Sequence, residues 1–177
     1  MILALHGVAN TNPITMSERR ATNTALISVE IDASIGHSPS PEAEHDRKAA
    51  IYDLLESNTF SLCSGVPGPY RLVLATTEGR LVFDVRNEAH QPLMAFGLSL
   101  TPFRRIVKDY FQICESYYDA IRNSNPAHIE TIDMARRGLH NDGSEILIER
   151  LKGKADMDLD TARRLFTLVC ALLGQNT

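Results

Sequence analysis

Hydrophobic and polar positions alternate along four segments in the first hundred residues, and this period of two predicts β-strands. The first segment is ALISVEI, in which Leu26, Ser28 and Glu30 alternate with three apolar residues. The other three are YRLVLAT, RLVFDVR and PLMAFGLSL, beginning at residues 70, 80 and 92. Short polar junctions separate these three segments, so they predict an antiparallel meander.

A period near 3.6 residues predicts helices elsewhere in the chain. Pro41 suits the start of a helix that covers EAEHDRKAAIYDLLES. From residue 101 the apolar positions predict a long helix, with Thr101 as its N-cap and Pro102 at its first position. Asn125 and Pro126 predict the start of the next helix.

The last fifty residues predict three further elements. Gly143 and Ser144 indicate the start of a short separate helix, and KADMDLD alternates briefly like a strand. TARRLFTLVCALL is apolar on most sides, so we expect this final helix to be central to the core.

The order of these elements predicts an α+β fold, in which an antiparallel β-meander packs with a helical C-terminal half in a single domain. We expect that domain to span residues 25–174. Residues 1–24 show no periodicity and carry Asn, Thr, Pro and Ser, which is typical of a disordered leader. Met16 begins a segment that resembles an alternative start, so residues 1–15 are expected to lie upstream of the true start.

Composition narrows the class of partner. The 177 residues carry a formal net charge of −4, so the chain has no overall attraction for nucleic acid or an anionic membrane. Residues 16–100 hold 7 basic and 11 acidic side chains, whereas residues 101–177 hold 11 of each. A polyanion such as nucleic acid is therefore a disfavoured partner, left open only for a local patch in the second half.

The compartment is inferred by exclusion. No apolar run approaches the ~18 residues that span a bilayer, and the first residues lack the pattern of a secretory signal. The three cysteines, Cys63, Cys114 and Cys170, are odd in number and widely spaced, which predicts free thiols in a reducing compartment. We therefore expect a cytoplasmic protein with no membrane partner.

Eight of the fourteen arginines stand in four adjacent pairs, within SERRAT, PFRRIV, MARRGL and TARRLF. With N-caps at Thr101 and Asp160, Arg104 and Arg163 would lie in the first turns of their helices, where the helix dipole disfavours a cation by ~0.3–1 kcal/mol. This placement indicates either an internal carboxylate partner or an anionic ligand.

Internal partners are available in the sequence. Asp109 follows Arg105 by four residues, and Asp158 and Asp160 lie close to Arg163. Adjacent helical residues point about 100° apart, so one arginine of each pair is expected to be structural. Salt bridges and solvated faces are the favoured interpretation, and an anion site is the alternative. A single pocket requires at least three of the arginines on one concave surface.

One segment, RRGLHNDGSE, gathers reactive side chains. The functional interpretation is an anion pocket, in which Ser144 and the first amides of its helix donate, Arg136 or Arg137 supplies charge, and His140 acts as acid or base. The plainer interpretation, which we favour, makes Ser144 an N-cap that follows a turn. The arginine pair then precedes Gly138 near a helix end and needs no ligand.

Other site classes find no support in the sequence. The six histidines show no metal-ligand spacing, and GxxxxGK[ST], GxGxxG and GxSxG motifs are absent. We therefore predict no metal site and no cofactor.

Several long segments carry a resemblance to a known family: GPYRL, GRLVFDVRNE, LSLTPFRRIVKDYFQICESYYDAIR, DMARRGLHNDGSEILIERLKGK and DLDTARRLFTLVCALL. Across about residues 24–173 the chain resembles a family of uncharacterised alphaproteobacterial proteins. The resemblance implies a bacterial cytosolic protein and supports discounting residues 1–15. It implies no activity and supplies no catalytic residue.

The leading hypothesis is a non-enzymatic binding or regulatory protein that acts through a protein partner, a second copy of itself or a small anionic ligand. An alternative is a small hydrolase or transferase acting on a phosphorylated or carboxylated metabolite, with His140 and Asp142 as proton-transfer groups. A third is association with RNA or the ribosome. The candidate anion-binding residues are Arg104, Arg105, Arg136, Arg137, His140, Ser144, Arg163 and Arg164.

Overall fold

The structure, a computed structural model, describes residues 24–173. Along the chain the elements are β1 (Leu26–Ile31), a 3₁₀ turn (Ala33–Ile35), α1 (Pro41–Glu56), β2 (Phe60–Leu62), β3 (Tyr70–Thr77), β4 (Arg80–Arg86), β5 (Pro92–Ser99), α2 (Thr101–Asn123), α3 (Pro126–Leu151), β6 (Ala155–Met157) and α4 (Leu159–Leu173). The predictions for residues 1–23, including the disordered leader and the start at Met16, lie outside the described residues.

The α+β fold with an antiparallel meander and a helical C-terminal half is confirmed. Strands β3, β4 and β5 pair antiparallel, and β1 adds a parallel strand beside β3, which makes the sheet order β1-β3-β4-β5. On the inner face Leu74, Phe83 and Phe96 are aligned across three strands, and the two phenylalanine rings stack 5.3 Å apart. This face packs with the helices into a single hydrophobic core.

The alternation predicted for β1 is interrupted. Leu26 pairs with Tyr70 and Ser28 pairs with Arg71, so Ile27 is an extra residue at a β-bulge. Both Leu26 and Val29 are buried as a result, while Ile27 is 42% exposed. The strict alternation predicted for the segment ALISVEI was therefore wrong at Ile27.

Helix α4 is central to the core, as its composition predicted. Eight of its fifteen residues are buried, among them Leu165, Phe166 and Val169, which have no exposed surface. The predicted N-cap at Asp160 was wrong by two residues. Asp158 caps the helix instead, because its Oδ1 accepts a hydrogen bond from the Thr161 backbone N–H at 2.8 Å.

The N-cap predicted at Thr101 is also wrong. Thr101 is the first residue of α2, and Leu100 precedes it without a side-chain cap. The Arg104 N–H already donates to the Leu100 carbonyl, so Arg104 lies one residue further into the helix than predicted. Arg163 likewise lies beyond the first turn of α4, and the dipole argument for a ligand at these two arginines no longer applies.

Helix α3 starts where predicted but does not break at Gly143. Asn125 caps it by accepting from the His128 N–H at 2.9 Å, and the helix then runs for 26 residues to Leu151. The predicted turn and separate short helix at Gly143 and Ser144 were wrong, and so was the helix end predicted near Gly138. The whole RRGLHNDGSE segment is helical.

Gly143 is in the middle of a helix because of packing against α4. A Cβ atom there would lie 2.2 Å from Cζ of Phe166, which is far inside van der Waals contact. The glycine therefore lets α3 approach the Phe166 ring closely, and this approach sets the distance between the helices at the site described next.

Candidate functional site

A cavity of about 430 Å³ lies where α2, α3 and α4 meet. We call it the arginine cavity. Its lining residues are Tyr110 from α2, Arg136, Arg137, His140 and Asn141 from α3, and Arg163 and Thr167 from α4. Three of the arginines predicted as anion ligands therefore lie on one concave surface, although 26 residues separate Arg137 from Arg163. A single anion pocket requires at least three of the candidate arginines on one concave surface, and three lie on this one.

Two of these arginines share one carboxylate. The Nε and Nη2 atoms of Arg136 donate to Oδ1 of Asp133 at 3.1 and 2.7 Å, and Nε of Arg137 lies 2.8 Å from Oδ2. The hydrogen bonds from Arg136 lower the pKa of Asp133, and the charge of Arg137 adds to the effect. Since Asp133 neutralises only one of the two guanidiniums, a positive charge remains.

Arg163 is held by a neutral group. Its Nε and Nη2 atoms donate to the amide oxygen of Asn141 at 2.9 and 2.7 Å, across the α3–α4 interface. Among the described residues, its ion-pair partner is Asp160, at 3.4 Å, whose side chain is 73% exposed. An exposed pair of this kind contributes little, so most of the Arg163 charge stays available.

His140 is placed as a neutral hydrogen-bond donor. Its Nε2 lies 2.9 Å from the Thr167 hydroxyl, and that hydroxyl donates its only hydrogen to the Arg163 carbonyl at 3.0 Å. The hydroxyl can therefore only accept at His140, which places a hydrogen on Nε2 and leaves the Nδ1 lone pair free in the neutral ring. Burial lowers the pKa of His140, and the charges of Arg136 and Arg163 lower it further.

Tyr110 and Phe166 pack against the His140 ring, and of these two only Tyr110 lines the cavity. The His140 ring centroid lies 5.3 Å from each of the two rings. Burial raises the pKa of Tyr110 to about 12, with a contribution from Cys114, so its hydroxyl remains protonated at neutral pH. The cavity thus combines the Tyr110 ring with guanidinium, imidazole and hydroxyl donors.

The remaining predicted residues lie elsewhere. Arg104 lines a separate cavity of about 310 Å³. Arg105 is 93% exposed and pairs with Asp109 at 3.8 Å, as its spacing predicted. Arg164 donates to the Ser57 carbonyl. Three of the four pairs lie in described helices: the pairs at 104/105 and 163/164 each send their two arginines to different places, whereas Arg136 and Arg137 both line the arginine cavity.

The proposed proton-transfer pair is not assembled. Asp142 lines a different cavity, together with Glu145 and Glu149, because residues two positions apart in a helix point about 160° away from each other. Ser144 is fully buried, and its hydroxyl donates to the His140 carbonyl at 2.7 Å. Ser144 is therefore neither an N-cap nor a ligand donor.

Sequence reasoning missed three residues of the cavity as ligand candidates. Asn141, Tyr110 and Thr167 line the cavity but are not among the candidate anion-binding residues named from the sequence. The available signal was helical spacing: Thr167 follows Arg163 by four residues and Asn141 follows Arg137 by four, so each pair shares a helix face.

Two further findings bear on the class of protein. Between residues 24 and 173, no three His, Cys, Asp or Glu side chains come together in a way that would hold a metal ion. In the same part of the chain, every helix is too short or too polar to cross a membrane.

Comparison with known proteins identifies relatives along nearly the whole chain. Residues 23–175 match the family described as "Uncharacterised protein family (UPF0262)". A UPF0262 protein from Mesorhizobium japonicum is 59% identical over 152 residues, covering 85% of this chain and 94% of the relative. Another from Paracoccus denitrificans is 56% identical over 153 residues, covering 84% and 94% respectively. No solved structure gives a significant match.

Proposed function

The chain belongs to the UPF0262 family, whose description names no activity, and from the geometry of the arginine cavity we propose that it is a non-enzymatic protein that binds a small anion. The observation that carries this proposal is that three guanidiniums, those of Arg136, Arg137 and Arg163, line one cavity, whereas the half-buried carboxylate of Asp133 pairs with only the first two. Even with Asp160 counted, the cavity keeps a net positive charge. A phosphorylated or carboxylated metabolite fits this charge and a volume of about 430 Å³.

The donors are suited to an oxyanion rather than to a neutral ligand. Arg137 is 72% exposed, so its guanidinium can turn from Asp133 toward a ligand at little cost. Arg163 is oriented by Asn141 and so loses little side-chain entropy on binding. A bound anion would also favour protonation of His140, which would add a further charged donor.

Binding is proposed in preference to catalysis because the acid and base groups do not converge. His140 lines the arginine cavity, Asp142 lines another, and the Ser144 hydroxyl donates to a backbone carbonyl.

The proposed compartment is the cytoplasm, which agrees with the free thiols of Cys63, Cys114 and Cys170.

Thermal unfolding and calorimetric titration of the full chain test the proposal. The ligand panel contains phosphate, pyrophosphate, citrate, a sugar phosphate, a nucleoside monophosphate and a short RNA, with sodium chloride at matched ionic strength. A ligand at 100 times its dissociation constant adds about 2.7 kcal/mol to stability. We expect one small anion to do this with the wild type.

Two variants localise the binding. Arg137→Gln removes an exposed cation of the cavity, and we expect binding to weaken by about 10- to 150-fold, because a charge-assisted hydrogen bond contributes about 1.5–3 kcal/mol. Arg105→Gln is the matched control, since Arg105 is a more exposed helical arginine outside the cavity. Equal affinity of wild type and Arg137→Gln would refute this site, and stabilisation by RNA alone would favour nucleic-acid association instead.

A further inference from the structure

A cavity of about 310 Å³ lies where one end of the sheet meets the start of α2 and the end of α4. Five elements supply its walls: the 3₁₀ turn after β1, the strands β3 and β4, and the helices α2 and α4. It shares no lining residue with the arginine cavity, so it is a separate place in the fold.

The interior of this cavity is apolar. Its walls include Ile35, Leu81, Leu100, Val107 and Leu172, none of which is more than 8% exposed. Protein cores are packed about as densely as organic crystals, and they contain few voids larger than a water molecule. A space of this size among buried side chains is typical of a ligand site, and its lining suits an apolar group.

The two hydroxyl groups in the lining are engaged within the wall itself. The Thr76 hydroxyl donates to the Ser34 carbonyl at 2.8 Å, and the Thr76 backbone N–H donates to the Ser34 hydroxyl oxygen at 3.0 Å. These bonds join the 3₁₀ turn to β3. The hydroxyl groups therefore complete the wall and leave the ligand to be selected by other groups.

Arg104 supplies the charge of this cavity. Among the described residues that line it, Arg104 alone is charged, so the lining is net positive. Its side chain is exposed, and within residues 24–173 it has neither an ion-pair partner nor a side-chain hydrogen bond. The adjacent Arg105 differs, because it pairs with Asp109 and does not line the cavity. A ligand can thus reach an arginine whose charge no carboxylate of this part of the chain neutralises.

We propose that this cavity binds a small amphipathic monocarboxylate, whose carboxylate pairs with Arg104 and whose alkyl tail fills the apolar interior. A carboxylate accepts from two nitrogens of the planar guanidinium fork at once. One guanidinium balances one negative charge, so a monocarboxylate fits better than a phosphate dianion. Burial of the tail against the apolar wall supplies the remaining affinity.

Calorimetric titration of the full chain with sodium butyrate, hexanoate and octanoate tests the proposal. Sodium chloride at equal ionic strength is the control. We expect the affinity to rise about fourfold for each added methylene group until the cavity is full, because each group buries more apolar surface. An affinity that does not depend on chain length, or a response equal to that of chloride, would overturn the proposal.

Two variants of adjacent arginines locate the carboxylate. Arg104→Gln should weaken octanoate binding about tenfold, which is the lower end for loss of a charge-assisted hydrogen bond, because Arg104 is partly solvated. Arg105→Gln is the matched control and should bind as the wild type does. Unchanged affinity in Arg104→Gln would contradict the proposal. An equal loss in Arg137→Gln would assign the binding to the arginine cavity instead, so the two sites can fail independently.

A cavity-filling variant tests the position of the tail. Leu173 lines the cavity and is only half-buried, so Leu173→Trp adds volume to the wall without replacing a fully buried side chain. We expect this variant to shorten the chain length at which the affinity stops rising. If octanoate bound to Leu173→Trp as tightly as to the wild type, the tail would lie elsewhere and the proposal would fail.

Discussion

Replacement of Gly143 by alanine sets helix propensity against packing, and the two predict opposite results. Within a helix, alanine is favoured over glycine by about 1 kcal/mol, so the sequence alone predicts that Gly143→Ala stabilises the protein. In the structure the new Cβ would lie 2.2–2.5 Å from three atoms of the buried Phe166 ring. The ring has no exposed surface into which it can move.

The expected magnitude follows from these two terms. Overpacking a filled core costs about 1–3 kcal/mol, and a clash this short lies at the upper end of that range. After the propensity gain is subtracted, we expect Gly143→Ala to lower the free energy of unfolding by about 1–2 kcal/mol. Because Phe166 also contacts His140, the same change should weaken anion binding at the arginine cavity.

Gly138→Ala is the matched control. Gly138 lies in the same helix, but a Cβ added there meets nothing within 4 Å. We expect this variant to be more stable than the wild type by about 0.5–1 kcal/mol. Urea unfolding followed by circular dichroism gives both values from the midpoint and slope. If Gly143→Ala were stabilised as much as Gly138→Ala, the close packing of α3 on Phe166 would be refuted.

Two further predictions concern His140 and Asn58. The pKa of His140 is lowered from 6.5 in the folded state, so the contribution of this residue to stability is complete above pH 6.5 and is lost as the pH falls through the folded-state pKa. The free energy of unfolding of His140→Gln should therefore depend less on pH below 6.5 than that of the wild type. An equal pH dependence of the two proteins would contradict this. Asn58 accepts from the Leu26 N–H at 2.7 Å and donates to the Leu26 and Leu54 carbonyls at 3.0 Å, joining β1 to the end of α1. Asn58→Ala should cost about 1–3 kcal/mol in urea unfolding, because it leaves these backbone groups unpaired, and a cost below 0.5 kcal/mol would show that water replaces the side chain.

Local pattern was sufficient for most of the fold. Period-two alternation predicted β3, β4 and β5 and their antiparallel order, because strand faces and short turns are properties of neighbouring residues. The start of α1 at Pro41 and the start of α3 after Asn125 were likewise readable from capping residues. A bulge at Ile27 was not, because it depends on pairing with β3, a strand more than forty residues away.

The arginine cavity shows what tertiary structure decided. Sequence patterns picked out Arg136, Arg137 and Arg163 as candidates, but could not show that Asn141 holds Arg163 across 22 residues or that Arg104 lies elsewhere. The sequence also misled at Gly143, where a turn and the start of a separate helix were predicted, since glycine is typical of turns. A glycine is required at position 143 because the Phe166 ring of another helix packs closely against it. Side chains distant in the chain meet only through helix packing, so their convergence depends on contacts that no local pattern encodes.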